Sequence, residues 1–364
     1  MMQKLSGFLL LVFTVMLQHC SPAPQADNSV AVAEYYSEDD FETVKKFDSH
    51  VHLNTTNPAY IHQAIEDNFK FLDIIDDRPF GITMYEQEKI ALQQRKAFPQ
   101  QMVYATTFPV DGFTNSGWQQ ETIDRLKRTI DEGAVAVKVW KNIGMALKDA
   151  DSNFVMIDHP RFDTIISFLE SRQVPLIGHL GEPRECWLPL DQMILHKGYY
   201  SRHPEYHMYL HPEYPSYEKQ VEARDNMLAK HPRLKFIGAH LGSLEWSLDE
   251  LAKRLDRFPN MSVDLARMQD LFLHTKNNRQ KTRDFFIKYQ DRLLYATDLQ
   301  VNATKDTAAL KQRAHETKVR DWRFFATDNT LSENNIGEFK GLRLPAAVID
   351  KIYYSNATRL LGAP

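Results

Sequence analysis

From residue 43 onward, short apolar runs alternate with stretches patterned for helices. Eight runs rich in β-branched and aromatic residues read as strands: "VKKFDSHV" (44–51), "FKFLDII" (69–75), "MVYATT" (102–107), "AVAVKVW" (134–140), "VPLIGH" (174–179), "LKFIGAH" (234–240), "MSVDLA" (261–266) and "LLYATD" (293–298). Between them, apolar positions recur at helical spacing. Ile123, Leu126 and Ile130 form one stripe, stopped by Gly133. Phe162, Ile165, Ile166 and Leu169 form a second behind Pro160. Leu244, Leu248, Leu251 and Leu255 form a third, with Ser247 and Glu250 at capping-box spacing. Such alternation implies parallel strands joined by crossover helices. Eight strands favour a closed α/β barrel of TIM type over an open doubly wound sheet. No GxGxxG or Walker-type loop is present, so no nucleotide cofactor is expected.

"ATD" occurs twice after an apolar run, at 296–298 and 326–328. Strand counting makes Asp298 the end of the eighth strand. "WRFFATD" then belongs to an extra element before a closing helix, "PAAVIDKIYYSNATRLL"; were one earlier strand false, Asp328 would take that place.

The first residues carry a different pattern. Lys4 precedes the apolar run "FLLLVFTVML" (8–17), then "QHCSPAP". A run of ten residues, apolar but for Thr14, suits the core of a secretory signal and is too short to span a bilayer. Residues 1–20 are therefore read as a signal peptide, and 21–42 as a polar flexible linker. Residues 43–364 are read as the barrel. Cys20 stands where a bacterial lipoprotein is cleaved and acylated, with Leu17 three residues earlier, although His19 departs from the usual small residue. The expectation is an exported protein, periplasmic or anchored through a lipid on Cys20. The formal net charge of −4 and the lack of a basic block exclude a nucleic-acid partner. Two cysteines, Cys20 and Cys186, allow neither a cysteine zinc site nor a disulfide framework. A small-molecule substrate is the expected partner, and a homo-oligomer is left open.

Polar residues gather at the strand ends. The first strand ends with His50 and His52, which alternation places on one face with Asp48, about 6–7 Å apart at Cα. The fourth carries Lys138, the fifth ends at His179, the sixth at His240 and the eighth at Asp298. In a β/α barrel these ends share one rim, where active sites lie. Alternation aims His179 inward with Pro175 and Ile177, and His240 inward with Phe236 and Gly238. Four histidines and a carboxylate suit one divalent ion, zinc first, with manganese, iron or cobalt as alternatives.

The ordered set His50-x-His52, His179, His240 and Asp298 resembles the amidohydrolase superfamily. The segments "VKVWKNIGM", "IGHLGEPR", "HPEYPSYE", "IGAHLGS", "KYQDRLLYATD" and "YYSNATRLL" are similar to its second family of related metal-dependent hydrolases, a branch that also holds non-oxidative decarboxylases. The resemblance covers nearly all of residues 44–362. It implies His50, His52, His179 and Asp298 as ligands of one ion, with His240 beside it as an acid or base. In two-metal relatives His240 and a carboxylated Lys138 would form a second site. The unmodified alternative for Lys138 is an ion pair with an acid such as Glu182; Lys141 reads as a loop or surface residue.

The expected chemistry is water activation by the ion, with Asp298 and His240 moving protons, to cleave an amide, ester or lactone. The first alternative is a carboxy-lyase and the second a non-catalytic exported binding barrel. Specificity is expected in residues 180–220, a long lid rich in aromatics, histidine and proline. Glu182, Arg184 and Trp187 are candidate substrate contacts there, although Arg184 could pair with nearby acids and Trp187 could pack the lid down. Arg267, after the seventh strand, is a candidate carboxylate anchor, or a partner for Asp264. Trp322, Arg323 and Asp328 are second-rank candidates over the same rim. His203, His207 and His211 recur every four residues, but Pro204 and Pro212 argue against one helical face.

Overall fold

All eight predicted strands pair in one parallel sheet: β1 (Lys46–Asn54), β2 (Phe69–Ile74), β3 (Met102–Thr106), β4 (Ala136–Val139), β5 (Leu176–Gly178), β6 (Phe236–Gly238), β7 (Met261–Asp264) and β8 (Leu293–Leu294). This computed structural model describes residues 34–362. A further strand, β9 (Leu299–Asn302), completes the nine-stranded order β8-β7-β6-β5-β4-β3-β2-β1-β9. β8 and β9 are two halves of one interrupted strand, the first paired with β7 and the second with β1. Across the interruption Ser49 N–H donates to the Tyr295 carbonyl at 2.9 Å, and Asp298 N–H to the His50 carbonyl at 2.8 Å. The sheet thus closes into a TIM-like barrel.

The barrel interior holds Phe47, Leu72, Ile74, Val103, Ile177, Ile237 and Leu294, and Ala357 and Leu361 of the last helical stretch join them. The larger core lies between strands and outer helices. The three apolar stripes appear as helices Trp118–Asp131, Pro160–Arg172 and Leu248–Arg257. Ser247 caps the third by accepting from Glu250 N–H at 3.3 Å, so Leu244 lies outside it.

Strict alternation fails at two strands. β1 shifts register between Asp48 and Val51, inserting one residue against β2. The bulge puts Phe47 inside and Asp48 outside, where it accepts from Thr297 Oγ1 at 2.6 Å, while His50 and His52 turn inward. On β6 the inward residue is Ile237, and Phe236 belongs to the outer core. His240 comes inward through a left-handed turn, with φ of 56° at His240 and 57° at Leu241.

"WRFFATD" is the end of a long helix, Thr307–Ala326, followed by a hairpin, β10 (Thr330–Glu333) and β11 (Gly337–Lys340). The three second-rank candidates leave the rim with it. Trp322 is buried and donates to the Ser37 carbonyl at 2.9 Å; Arg323 pairs with Glu38; Asp328 lies 3.4 Å from Arg343. Part of the expected linker is built into the fold as well. Tyr36 donates to Asp350 at 2.8 Å, and Phe41 is buried against Phe69 and Trp322. The expected signal peptide, Cys20 and linker residues 21–33 lie outside the described residues. Among the described residues no helix is long and apolar enough to cross a membrane.

Candidate active site

His50 Nε2, His52 Nε2 and Asp298 Oδ1 meet at the C-terminal rim. The two nitrogens are 3.2 Å apart, and the oxygen lies 3.5 Å from the first and 3.4 Å from the second. The other ring nitrogens fix the tautomers. His50 Nδ1 lies 2.7 Å from Asp264 Oδ2, and His52 Nδ1 lies 2.7 Å from the Ile74 carbonyl. Both partners accept, and at His52 the Ile74 carbonyl lies closer than the Arg78 guanidinium at 3.2 Å, so each Nδ1 carries the proton and each Nε2 keeps its lone pair. Three acceptors facing each other at this range repel unless a cation lies among them. Ligand atoms held tetrahedrally at about 2.0–2.2 Å from zinc stand about 3.3–3.6 Å apart; the two separations to Asp298 fall in this range and the His50–His52 separation lies about 0.1 Å below it. The donor set therefore fits a divalent ion, on His50, His52 and Asp298.

Asp298 is placed by its own backbone, with φ of 55°, a left-handed conformation that a non-glycine residue adopts at some cost. Its side chain is 35% exposed, which leaves a carboxylate edge open to the cavity. Burial pushes its pKa up, but His50, His52 and His240 outweigh that and hold it well below the usual range. Asp264 is buried, and His50 and His240 keep it ionised against the effect of burial. It accepts from His50 through one oxygen, and through the other from His240 N–H at 2.7 Å and Ala266 N–H at 3.2 Å.

His240 packs between His50 and His179, with ring centroids 5.1 and 4.5 Å away, and its Nε2 lies 3.8 Å from Asp298 Oδ2. Burial lowers its pKa to about 4, so the ring is neutral at pH 7. His179 borders the same cavity beside His240, outside the three-atom cluster; burial and the nearby His240 and Lys138 keep it neutral. Lys138 is buried with its amine 3.5 Å from His50 Nε2. Burial lowers its pKa, and Asp264, Asp76 and Asp298 oppose that.

A cavity of about 460 Å³ opens beside Asp298, His179 and His240. Glu182 lines it but pairs with Lys141 rather than Lys138. Lys141 lies in the turn after β4, as a loop residue, but is partly buried and lines the cavity, and burial lowers its pKa to about 8. Arg267 also lines it, bonded to Asp270 at 3.0 Å and to His196, rather than to Asp264. His196 in turn donates from Nδ1 to Glu185 at 2.8 Å. Arg184 and Trp187 do not reach this cavity. The Arg184 guanidinium stacks over Trp246 at 4.4 Å, and Trp187 donates to the Pro215 carbonyl at 3.3 Å. Between β5 and the helix Tyr217–Lys230 the chain winds through short helical turns around a small core of Cys186, Met193, Tyr200 and Met208. His203, His207 and His211 serve this segment separately: the first pairs with Glu205, the second meets the Leu188 carbonyl, the third the Pro204 carbonyl.

The family model described as Amidohydrolase matches residues 99–363. The chain belongs to the amidohydrolase family. Members depend on a metal, in keeping with the three-atom cluster. Among solved structures, a Staphylococcus aureus protein described provisionally as an amidohydrolase aligns with a TM-score of 0.52 at 13% identity, over 88% of this chain and 100% of that one. An amidohydrolase from Burkholderia multivorans with bound HEPES aligns at 0.45 and 14% identity, over 88% and 100%. A D-hydantoinase from Thermus sp. gives 0.47 and 12%, over 87% and 70%. The first of these supports the fold alone. A search of curated proteins finds no match.

Three groups that shape this amidohydrolase site are not read as part of it in the sequence, where Asp264 appears only as an ion-pair partner for Arg267. Asp264 ends β7 and Asp76 follows β2, so a strand-end rule applied to every strand marks both. Asp76 binds Arg78 through two bonds of 2.6 Å and lies 3.8 Å from His52. His196 carries no comparable signal, because an irregular segment brings it to Arg267.

Proposed function

We propose that this amidohydrolase cleaves an amide, ester or lactone of a small, carboxylate-bearing molecule. The observation that carries the reading is the cluster of His50, His52 and Asp298 beside an open cavity with two cationic side chains. We assign His179 as a fourth ligand and zinc as the first choice of metal, with manganese, iron or cobalt as alternatives. A divalent ion supplies Lewis acidity, which brings the pKa of water to about 7 and polarises a carbonyl. Asp264 holds His50 in its ligating tautomer, a role that supports affinity as well as orientation. The open Asp298 oxygen can take a proton from attacking water and return it to the leaving group. His240, neutral at pH 7 with Nδ1 facing the Ala266 carbonyl at 3.2 Å, keeps a free Nε2 that can accept a proton from water or a substrate hydroxyl above Asp298. Arg267 and Lys141 supply positive charge for a substrate carboxylate.

That same pair of cations supports a second reading, a carboxy-lyase that holds a carboxylate while Asp298 or His240 protonates carbon. Elemental analysis of the purified protein beside a His50→Ala/His52→Ala variant is the first test. Near one ion per chain, lost in the variant, is expected; near two would bring Lys138 and His240 in as ligands. No metal after reconstitution with zinc or manganese would refute the reading and favour a binding barrel. On a carboxylate panel, carbon dioxide release would replace hydrolysis with decarboxylation. We also propose export on the leader-like residues 1–20. Fractionation, with mass analysis of the N-terminus, tests it and reports any lipid on Cys20.

A further inference from the structure

A second cavity shares a wall with the first. It measures about 180 Å³ and is lined by Phe80, Trp140, Met145, Tyr206, Met208 and Tyr214, among others. Lys141 and Glu182 line both cavities, so their ion pair is the partition between the metal cluster and an aromatic chamber. Cavities of about 150 Å³ accept one benzene ring. Phe80 and Trp140 meet edge to face at 5.9 Å and 75°, a corner against which a third ring can pack. The Lys141 amine sits over Trp140 at 5.2 Å and Tyr206 at 6.0 Å. Phe80 remains 49% exposed and Tyr206 39%, large aromatic faces that the fold leaves uncovered at this spot.

We propose that this chamber is a substrate subsite for an aromatic ring, so that the molecule cleaved at the metal cluster is an aryl-bearing amide, ester or lactone. The inference rests on the hydrolase reading above. Adjacency to the metal cavity, across the Lys141–Glu182 pair, argues for a part of the substrate rather than a separate ligand. The lining argues for an aryl group over a sugar. Apart from Lys141, Asn142, Glu182 and Glu205, the lining is aromatic or aliphatic, so ring faces and apolar side chains dominate the chamber. Phe80 is tied to the metal side as well. The Arg78 guanidinium lies 5.7 Å from its ring centre and also contacts His52 Nδ1 at 3.2 Å.

The test uses 4-fluoroacetanilide as the probe, followed by fluorine NMR on the purified protein with and without zinc. Saturable binding to the metal-free protein is expected, weakened about two- to tenfold in Phe80→Ala and in Tyr206→Ala, from the worth of one aromatic pair. Acetanilide should displace the probe better than N-cyclohexylacetamide. Unchanged metal content and thermal midpoint in both variants show that the fold is kept. No saturable binding, binding indifferent to both substitutions, or equal displacement by the cyclohexyl compound would overturn the proposal. Loss of the hydrolase reading appears separately, as absent metal or absent turnover, while the metal-free titration still reports on the chamber.

Discussion

Asp264→Asn tests the reasoning about the site most directly. In the native protein Oδ1 of Asp264 accepts from His240 N–H at 2.7 Å and Ala266 N–H at 3.2 Å, while Oδ2 accepts from His50 Nδ1 at 2.7 Å. Asparagine has one acceptor and one donor end. If its oxygen keeps the two backbone groups, its NH₂ faces His50 Nδ1. The imidazole must then move its proton to Nε2, the atom that stands 3.2 Å from His52 and 3.5 Å from Asp298. A protonated Nε2 cannot ligate, and loss of such an outer partner costs about 10–100-fold in metal affinity, or about 1.4–2.8 kcal/mol. If the amide flips, its NH₂ opposes two buried N–H donors, and the fold loses about 1–3 kcal/mol instead. Zinc titration against a competing chelator measures the first outcome; denaturant unfolding of the metal-free protein measures the second. A variant that matches the wild type in both would refute the account of Asp264.

Three other outcomes follow from the fold. Gly238→Ala should cost about 1–3 kcal/mol in denaturant unfolding, because a Cβ there would stand 2.8 Å from the Gly242 backbone, under the turn that carries His240. Ser247→Ala should lower stability by about 1 kcal/mol through loss of the cap on Leu248–Arg257, which a thermal melt with circular dichroism detects. Burial lowers the pKa of Lys46 to about 7, whereas the unfolded amine titrates near 10.5. Between those values the unfolded chain binds more protons, so stability rises with pH across this window and the charge penalty is full below it. The slope from this one group is at most about 1.4 kcal/mol per pH unit. Lys46→Met should flatten the rise of the denaturant midpoint between pH 7 and 9, and an unchanged slope would show that Lys46 does not carry it.

Regular geometry explains what could be read from sequence. Each strand run is short and bounded by turn residues, so strand count, barrel closure and the position of His50, His52, His179, His240 and Asp298 at strand ends follow from strand order. Asp298 and Asp328 share an identical "ATD" and a similar approach. What separates them is the helical stretch Thr307–Ala326, in which Trp322, Phe324 and Phe325 are all buried. A helix end buried on several sides loses its 3.6-residue signal and mimics a strand. Nearness in sequence misled in a similar way for Arg184 and Trp187. A helical turn over Arg184–Trp187 sends them away from His179, whereas the distant His196 reaches the cavity.

The departures from regular backbone fall where the chemistry is. The β1 bulge, the left-handed turn at His240 and the left-handed Asp298 each set a residue that a strict two-residue period would misplace. A bulge turns His50 inward while Asp48 stays outside; a regular strand would hold both on one face. Ile237 occupies the interior of β6, so without the turn after Gly238 a regular continuation would carry the His240 side chain out with Phe236. Each departure is held by a polar contact. Asp264 anchors the His240 N–H, and the Asp298 N–H is tied to the His50 carbonyl. Local strain of this kind persists only where the surroundings over-determine it. Asp264, which binds both the His50 ring and the His240 backbone, is thus the residue through which barrel packing sets the spacing of the cluster. Its effect on metal affinity and its effect on fold stability therefore have a common origin.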